Sequence, residues 1–285
     1  MILVLGASGN VGYAVANHLS DKPDTKIRAF VNSKESQAKL NKPGVTDTYV
    51  GDLRNDSDVQ EAMEGCNAVF HIAPPFMEDE IEIGNRVVKK AKQTGVKHIV
   101  YNSVLHPQLT HLDHHAKKLA VEEIIIESGL TYNILQPAMY MQNLKALWPN
   151  ISNNGVLTAF SAADKKLSLI DTFDLGEVAA NIFTNSSLHN ATFELAGPDV
   201  LTYYDIANLI GNVIDEEVHV KKLNDLERKK LASSMGWSDY ATKAFLKMAN
   251  HYDEHGFVGG CPKVPEAILD RTPNTYQDFL NRFLG

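Results

Sequence analysis

His114 and Lys118 are four residues apart, the spacing that places two side chains on one face of a helix. In hydride-transfer sites of this general design a lysine bonds the nicotinamide ribose, and an acid at i−4 polarises the carbonyl of the substrate. Hydride transfer to a carbonyl leaves an alkoxide that needs a proton or at least a donor. A histidine can supply that proton near neutral pH, given a reference pKa of ~6.5. A neighbouring cation pushes the value down and weakens the acid. Ser103, at the end of the apolar run His98 to Asn102, adds a hydroxyl to this candidate catalytic set of Lys118, His114 and Ser103. The plainer reading of Lys118 is a surface lysine paired with Glu122 one turn on.

Such groups need a cofactor beside them, and the chain opens on a segment suited to hold one. Ile2 to Leu5 is apolar and β-like, and Gly6-Ala7-Ser8-Gly9-Asn10-Val11-Gly12 follows it into a helix with apolar Val11, Ala14, Val15 and Leu19. Gly6 ends the strand, Gly9 lets the backbone approach a pyrophosphate, and Gly12 lets the helix pack tightly on the strand. The N–H groups of the helix start, around Ser8, Asn10 and Val11, then face the anion. The spacing is G-x-x-G-x-x-G, the variant of short-chain dehydrogenases and their relatives.

The ends of the following strands complete the expected cofactor surface. A dinucleotide fold carries an acid after its second strand to bind ribose hydroxyls, or a base there to accept a 2′-phosphate. Here Asn32, Ser33 and Lys34 give two neutral side chains and one cation, which favours NADP and leaves NAD open. Asn32 and Ser33 serve equally well as a helix N-cap. Asp52 and Leu53 follow the third strand, where Asp52 either accepts from an adenine amino group or opens a turn. Ile72, Ala73 and Pro74 follow His71 at the end of the fourth strand, where small and imino residues let the backbone pass close under the cofactor. His71 reads as a strand-end histidine in a satisfied environment. Pro137, just beyond the sixth strand, closes the set.

Strands expected at Ile2–Leu5, Ile27–Val31, Thr48–Val50, Ala68–Ile72, His98–Asn102 and Tyr132–Leu135 alternate with helical segments. That alternation predicts an α/β fold with a doubly wound parallel sheet, of Rossmann type, over residues 1–150. Residues 151–285 are expected to form a smaller, helix-rich substrate lobe with an interwoven boundary. Thr192–Leu195 and Glu217–Val220 are its expected strands, Asp205–Ile214 and Asp239–His251 are helical, and Pro262 to Pro265 punctuates the tail. On the helix of His114, the positions Ala116, Leu119 and Ala120 are expected to pack on the sheet. Met139, Tyr140, Met141 and Trp148 suit either an apolar pocket or core packing, as do Tyr203, Tyr204 and Trp237.

The net charge of −8 with no basic block argues against a nucleic-acid partner. No apolar run approaches the ~20 residues of a membrane span. The chain enters a core strand at once without a basic leader, so a cytoplasmic protein is expected. Its two cysteines, Cys66 and Cys261, have no zinc spacing and read as incidental thiols. His111 and His115 have the spacing of a helical metal pair, but no glutamate follows His111, so His106, His111, His114 and His115 read as a solvated helix face and no metal is expected.

Several stretches together resemble the NmrA-like family of atypical short-chain dehydrogenase/reductases. They are the glycine run, Lys118 with Glu122 before Glu127-Ser128-Gly129-Leu130, and Leu135 to Asn143. Asp171 with Asp174 to Ala179, Glu194 to Pro198, and Thr272-Pro273 before Tyr276 to Phe279 continue the likeness. The resemblance implies a Rossmann domain, NADP preference, and reduction of a small quinone, enone or carbonyl substrate. It also admits an NADP(H)-sensing regulator that contacts another protein without turnover. Two departures stand out: Asn32 replaces the arginine many members carry after the second strand, and His114 replaces the tyrosine of the Y-x-x-x-K pair. The second leaves a nucleotide-sugar epimerase only a minor alternative, since that chemistry uses the tyrosine hydroxyl.

Overall fold

The computed structural model describes residues 1–38, 40 and 44–285. Strand β1 (Ile2–Val4) and helix α1 (Asn10–Ser20) are followed by β2 (Ile27–Val31), α2 (Lys34–Ala38), β3 (Val45–Val50) and α3 (Asp56–Met63). Then come β4 (Ala68–His71), α4 (Glu80–Thr94), β5 (His98–Asn102), α5 (Asp113–Ile126) and β6 (Thr131–Pro137). Every residue of β1, β4 and β5 is buried, as expected for strands covered on both faces.

Beyond β6 the chain makes β7 (Met139–Tyr140), α6 (Leu144–Asn154), β8 (Val156–Ala159), β9 (Leu167–Ile170), α7 (Thr172–Thr184) and β10 (Ala191–Leu195). It ends through β11 (Val200–Leu201), α8 (Tyr203–Ile214), β12 (His219–Lys222), α9 (Asp225–Ser234), α10 (Asp239–His255), α11 (Lys263–Leu269) and α12 (Tyr276–Leu284).

The central sheet is wholly parallel, in the order β3-β2-β1-β4-β5-β6-β10. The doubly wound architecture expected from the sequence is thus the one the chain adopts. Apolar residues of α1 and α7 share one core face, including Val11, Val15, Leu19, Leu175 and Val178. Those of α3, α4 and α5 fill the other, including Val59, Ile83, Val87, Val121 and Ile125. The winding reverses between β1 and β4, which opens a crevice at the carboxyl ends of the strands.

Three expectations need correction. The segment Thr192–Leu195, assigned to the lobe, lies in β10 and is the seventh strand of the central sheet, pairing with β6. The second half is therefore threaded through the first: α7 also packs on α1, where a Cβ on Gly176 would lie 2.6 Å from the Ala14 carbonyl carbon. Pro265 does not break the tail but sits in the first turn of α11, where a missing N–H costs nothing. Finally, the buried face of α5 carries His114, His115, Lys118, Val121, Glu122 and Ile125, whereas Ala116, Leu119 and Ala120 are half-buried. The polar face is the inner one because Lys118, Glu122 and His115 find partners inside.

The chain also forms two small sheets, β11-β9-β7 and β12-β8, with α6 and α8 packed on β8. Arg228 on α9 is almost wholly enclosed and binds Asn250 Oδ1 at 2.7 Å and both carboxylate oxygens of Asp253, at 3.0 and 2.9 Å. This clamp fixes α9 against α10.

Candidate active site

The glycine turn has the geometry its sequence implies. Gly6 takes a left-handed φ of 62°, and its carbonyl accepts from the Gly9 N–H at 3.0 Å. A Cβ on Gly12 would lie 2.3 Å from the Gly6 oxygen, so only glycine lets α1 start this close to β1. Gly9 is the N-cap of α1, no side chain caps that end, and the first turn holds no acid. A Cβ on Gly9 would meet only the Gly6 carbonyl at 3.4 Å, so the approach over the turn is open. Ser8, Gly9 and Asn10 are exposed there. The residues present therefore fit a pyrophosphate at a helix N-terminus.

On the adenosine side, Ser33 Oγ accepts from the Ser36 N–H at 3.1 Å, and Asn32 Oδ1 accepts from Ser36 Oγ at 3.0 Å. Ser33 thus caps α2 while Asn32 binds only the Ser36 side chain, and Lys34 at the helix start is exposed and in no ion pair among the described residues. Asp52 is exposed, and its Oδ1 accepts from the Arg54 N–H at 2.9 Å, the turn-opening role weighed for it. Leu53 beside it is half-buried.

At the ends of β4 and β5 the buried polar groups form two sets. Lys118 Nζ donates to Glu80 Oε1 at 2.6 Å, and the Tyr101 hydroxyl donates to the same oxygen at 3.1 Å. Glu80 is fully buried, and its Oε2 has no partner among the described residues. In the second set Ser103 Oγ donates to Glu122 Oε1, while Gln136 Nε2 donates to both Glu122 oxygens at 3.0 and 2.9 Å. Lys118 is therefore not a surface lysine paired with Glu122. Burial pushes the Glu122 carboxyl up, and the bonds from Ser103 and Gln136 oppose that shift.

His114 is buried, and its Nδ1 has no partner among the described residues. Burial, then His115 and Lys118, push its pKa down to about 2, so the ring is neutral and does not supply an imidazolium proton at neutral pH. His71 departs from the satisfied environment expected of it, because both ring nitrogens are buried without partners and the ring stacks on Tyr101 at 5.1 Å.

Above these groups lies a cavity of about 570 Å³. Asn10, Ile72, Ala73, Ser103, Lys118 and Pro137 meet at its floor, bringing together residues of the glycine turn, β4, β5, α5 and β6. Its far wall is aromatic: Phe76 packs on His114 at 5.0 Å and on Trp237 at 5.3 Å, and Trp237 packs on Phe245 at 5.3 Å. Phe76 holds a φ of 57°, a costly conformation for a side chain of its size, directly after Pro74 and Pro75. Met139, Tyr140, Met141 and Tyr203 also face the cavity, whereas Trp148 packs on Phe283 at 5.6 Å and Tyr204 is exposed.

The other histidines diverge. His111 Nε2 lies 3.1 Å from His251 Nδ1, while His115 Nδ1 lies 2.7 Å from the His106 carbonyl oxygen. Among the described residues no cluster of three or more metal-ligating side chains occurs. Nor, among the described residues, does any helix have the length and apolarity to cross a membrane. Cys66 is buried and Cys261 exposed, and both are free thiols.

The acidic residues that carried the resemblance tie the tail to the core. Asp171 accepts from Gln142 at 2.6 Å and from Asn274 at 3.1 Å, and it pairs with Arg282. Asp174 accepts from Arg271 at 2.7 Å and from the Asn274 N–H at 2.7 Å. Sequence reading missed Glu80, Tyr101, Phe76 and Phe245: Tyr101 and Phe245 lie in the expected strand and helix, but which of their side chains reach the site depends on packing across the fold.

The chain is similar to several known proteins over most of its length. The NAD(P)H azoreductase of Xenophilus azovorans is 25% identical over 280 residues, covering 98% of this chain and 96% of the relative. Quinone oxidoreductase 2 of Escherichia coli is 24% identical over 240 residues, covering 84% of this chain and 83% of the relative. The NADPH-dependent quinone oxidoreductase of Escherichia coli, solved with NADPH, superposes with a TM-score of 0.83 at 21% identity, covering 100% of both chains. The Citrobacter triphenylmethane reductase, solved with NADP(H), gives a TM-score of 0.82 at 21% identity over 99% of each chain. The model of the NmrA-like family matches residues 1–280. With the open glycine turn, the lysine on α5 and the buried acids of α7 all in place, the chain belongs to the NmrA-like family.

Proposed function

We propose that this protein is an NAD(P)H-dependent oxidoreductase that reduces a small, flat, conjugated acceptor of the quinone or enone kind. One observation carries the reading: the glycine turn, the end of β4 and Lys118 open into the same cavity of about 570 Å³ as the aromatic wall of Phe76, Trp237 and Phe245. Reductases of azo compounds, quinones and triphenylmethane dyes among the relatives support it.

Gly6, Gly9, Asn10 and Gly12 would hold the pyrophosphate, and Lys34 would meet a 2′-phosphate, which makes NADP(H) the preferred form. Ile72, Ala73 and Pro137 would border the nicotinamide, with Lys118 binding its ribose. When bound, the reduced nicotinamide supplies a hydride. The protein's own groups orient that ring, exclude water with the aromatic wall, and offer donors to the acceptor as its charge grows. Neutral His114 beside Phe76 shapes the acceptor end of the cavity and is not the acid. The substrate is a small molecule and needs no nucleic acid or membrane.

The test is calorimetric titration with NADPH and NADH, followed by NADPH oxidation with 1,4-naphthoquinone as the acceptor. Binding of NADPH with quinone-dependent oxidation is expected. Binding without oxidation of NADPH by any quinone or enone would return the sensor reading, and binding of neither nucleotide would overturn both.

A further inference from the structure

Several protic groups of the cavity are already committed to protein partners. Ser103 donates to Glu122, Lys118 to Glu80, and Gln142 Nε2 to Asp171. The Tyr252 hydroxyl faces His115 Nε2 at 3.3 Å. Tyr140 differs. Its hydroxyl oxygen accepts from Asn102 Nδ2 at 2.9 Å, and its own proton has no acceptor among the described residues. Asn102 closes β5 one residue before Ser103, is 2% exposed, lines the same cavity, and keeps a buried Oδ1 that has no partner among the described residues. The tyrosine is thus held from behind, at the carboxyl end of the sheet, with its donor side free.

We infer that Tyr140 is a catalytic residue, the donor to the acceptor's carbonyl oxygen, and that Asn102 is the residue that positions it. This rests on the reductase reading and narrows it to acceptors that present a hydrogen-bonding oxygen. With a reduced nicotinamide as the hydride source, a new C–H bond forms on the acceptor and the carbonyl π pair moves to its oxygen. That oxygen takes the Tyr140 proton, or first its hydrogen bond. Asn102 Nδ2 stabilises the phenolate oxygen left behind, and water returns the proton, so each turnover consumes one hydride equivalent and one solvent proton. The role is that of the tyrosine hydroxyl missing at position 114, filled from another strand.

Tyr140→Phe keeps the ring and deletes the donor. Asn102→Asp keeps the phenol but offers it a carboxylate, which would turn its proton away from the cavity. Both variants are to be made in the full chain, with circular dichroism checking the fold. The first readout is the infrared C=O stretch of 1,4-naphthoquinone bound to the NADP⁺ complex, where no turnover occurs. The second is kcat with NADPH. The inference expects a C=O stretch lowered in the wild type and relieved in both variants, with kcat down about 100-fold or more and NADPH affinity unchanged. If Tyr140 only ties β7 to β5, the variants will melt earlier while stretch and kcat hold, and the inference falls while the reductase reading stands. Absence of quinone reduction by the wild type overturns both.

Discussion

Lys118 and Glu80 form a buried ion pair, 2.6 Å between Nζ and Oε1, with their side chains 11% and 0% exposed. The carboxylate lies in the first turn of α4, where the positive end of the helix dipole also favours it. Tyr101 donates to the oxygen that Lys118 uses, and its ring lies 5.5 Å from the ammonium. The lysine is therefore preset at the cavity floor by charge, hydrogen bond and π-face together. This preorganisation replaces the freedom a solvent-exposed lysine would have to lose on binding a cofactor.

Removing one member of such a pair strands the other. Glu80→Gln and Lys118→Met should each cost about 3 kcal/mol of stability, whereas the double variant, with no buried charge left over, should recover most of it. Turnover should behave otherwise, staying low in Lys118→Met and in the double variant. Urea unfolding beside NADPH-dependent quinone reduction measures both. Recovery of activity in the double variant would remove Lys118 from the site chemistry.

The cation that follows Asn32 and Ser33 gives a second expectation. Lys34 is exposed at the start of α2, on the side where a 2′-phosphate would lie. Lys34→Ala should weaken NADPH binding about tenfold, the loss of one charge-assisted contact, and change NADH binding little. Calorimetry with both nucleotides separates the outcomes. Equal weakening of the two would place the lysine away from the phosphate.

How much of this could be read beforehand depends on whether a feature is local. The glycine turn is a matter of spacing and sterics within seven residues, so Gly6, Gly9 and Gly12 announce both strand and helix start. The alternation of apolar runs likewise gives the parallel sheet. Glu80 is the opposite case: in the run Glu78-Asp79-Glu80 it looks like a solvated helix start, and only Tyr101 and Lys118, from β5 and α5, explain its burial. The same holds for α5, whose inner face is polar because Glu80, Ser103 and Gln136 await it across the fold. β10 was misplaced since a strand's own residues do not say which sheet receives it.

Buried neutral histidines set an acid limit on the fold. Burial, and then Lys118, push the His71 pKa down to about 3, and burial pushes His98 down to about 4. The unfolded chain takes up these protons near pH ~6.5 and the native state does not, so stability is full above that value and is lost as pH falls toward the folded values. Each ring adds up to about 1.4 kcal/mol of loss per pH unit in that window. His71→Leu also removes two unpartnered ring nitrogens, and it should raise stability and reduce the slope by about 1 kcal/mol per pH unit. Urea midpoints between about pH 7 and about pH 5 give the slope. An unchanged slope would show that His71 is protonated in the native state after all.

The lobe can be loosened without touching the cofactor floor. Arg228 donates to Asp225 at 3.0 Å as well as to Asn250 and Asp253, so it holds the start of α9 and the end of α10 in one network. Leu231, Met235 and Trp237, which follow on α9 and just beyond it, and Phe245 on α10 line the cavity proposed to take the acceptor. Arg228→Met removes the charge but keeps an apolar stem. It leaves Asp253 only the half-exposed Lys222, 3.0 Å away, so a loss of about 3 kcal/mol is expected. The aromatic wall should then lose its fixed spacing, raising KM for the quinone while NADPH affinity stays close to wild type, because none of the residues proposed to hold the cofactor lies on α9 or α10. Parallel changes in both constants would mean that the two halves of the cavity respond as one unit, and the separate acceptor lobe would have to be abandoned.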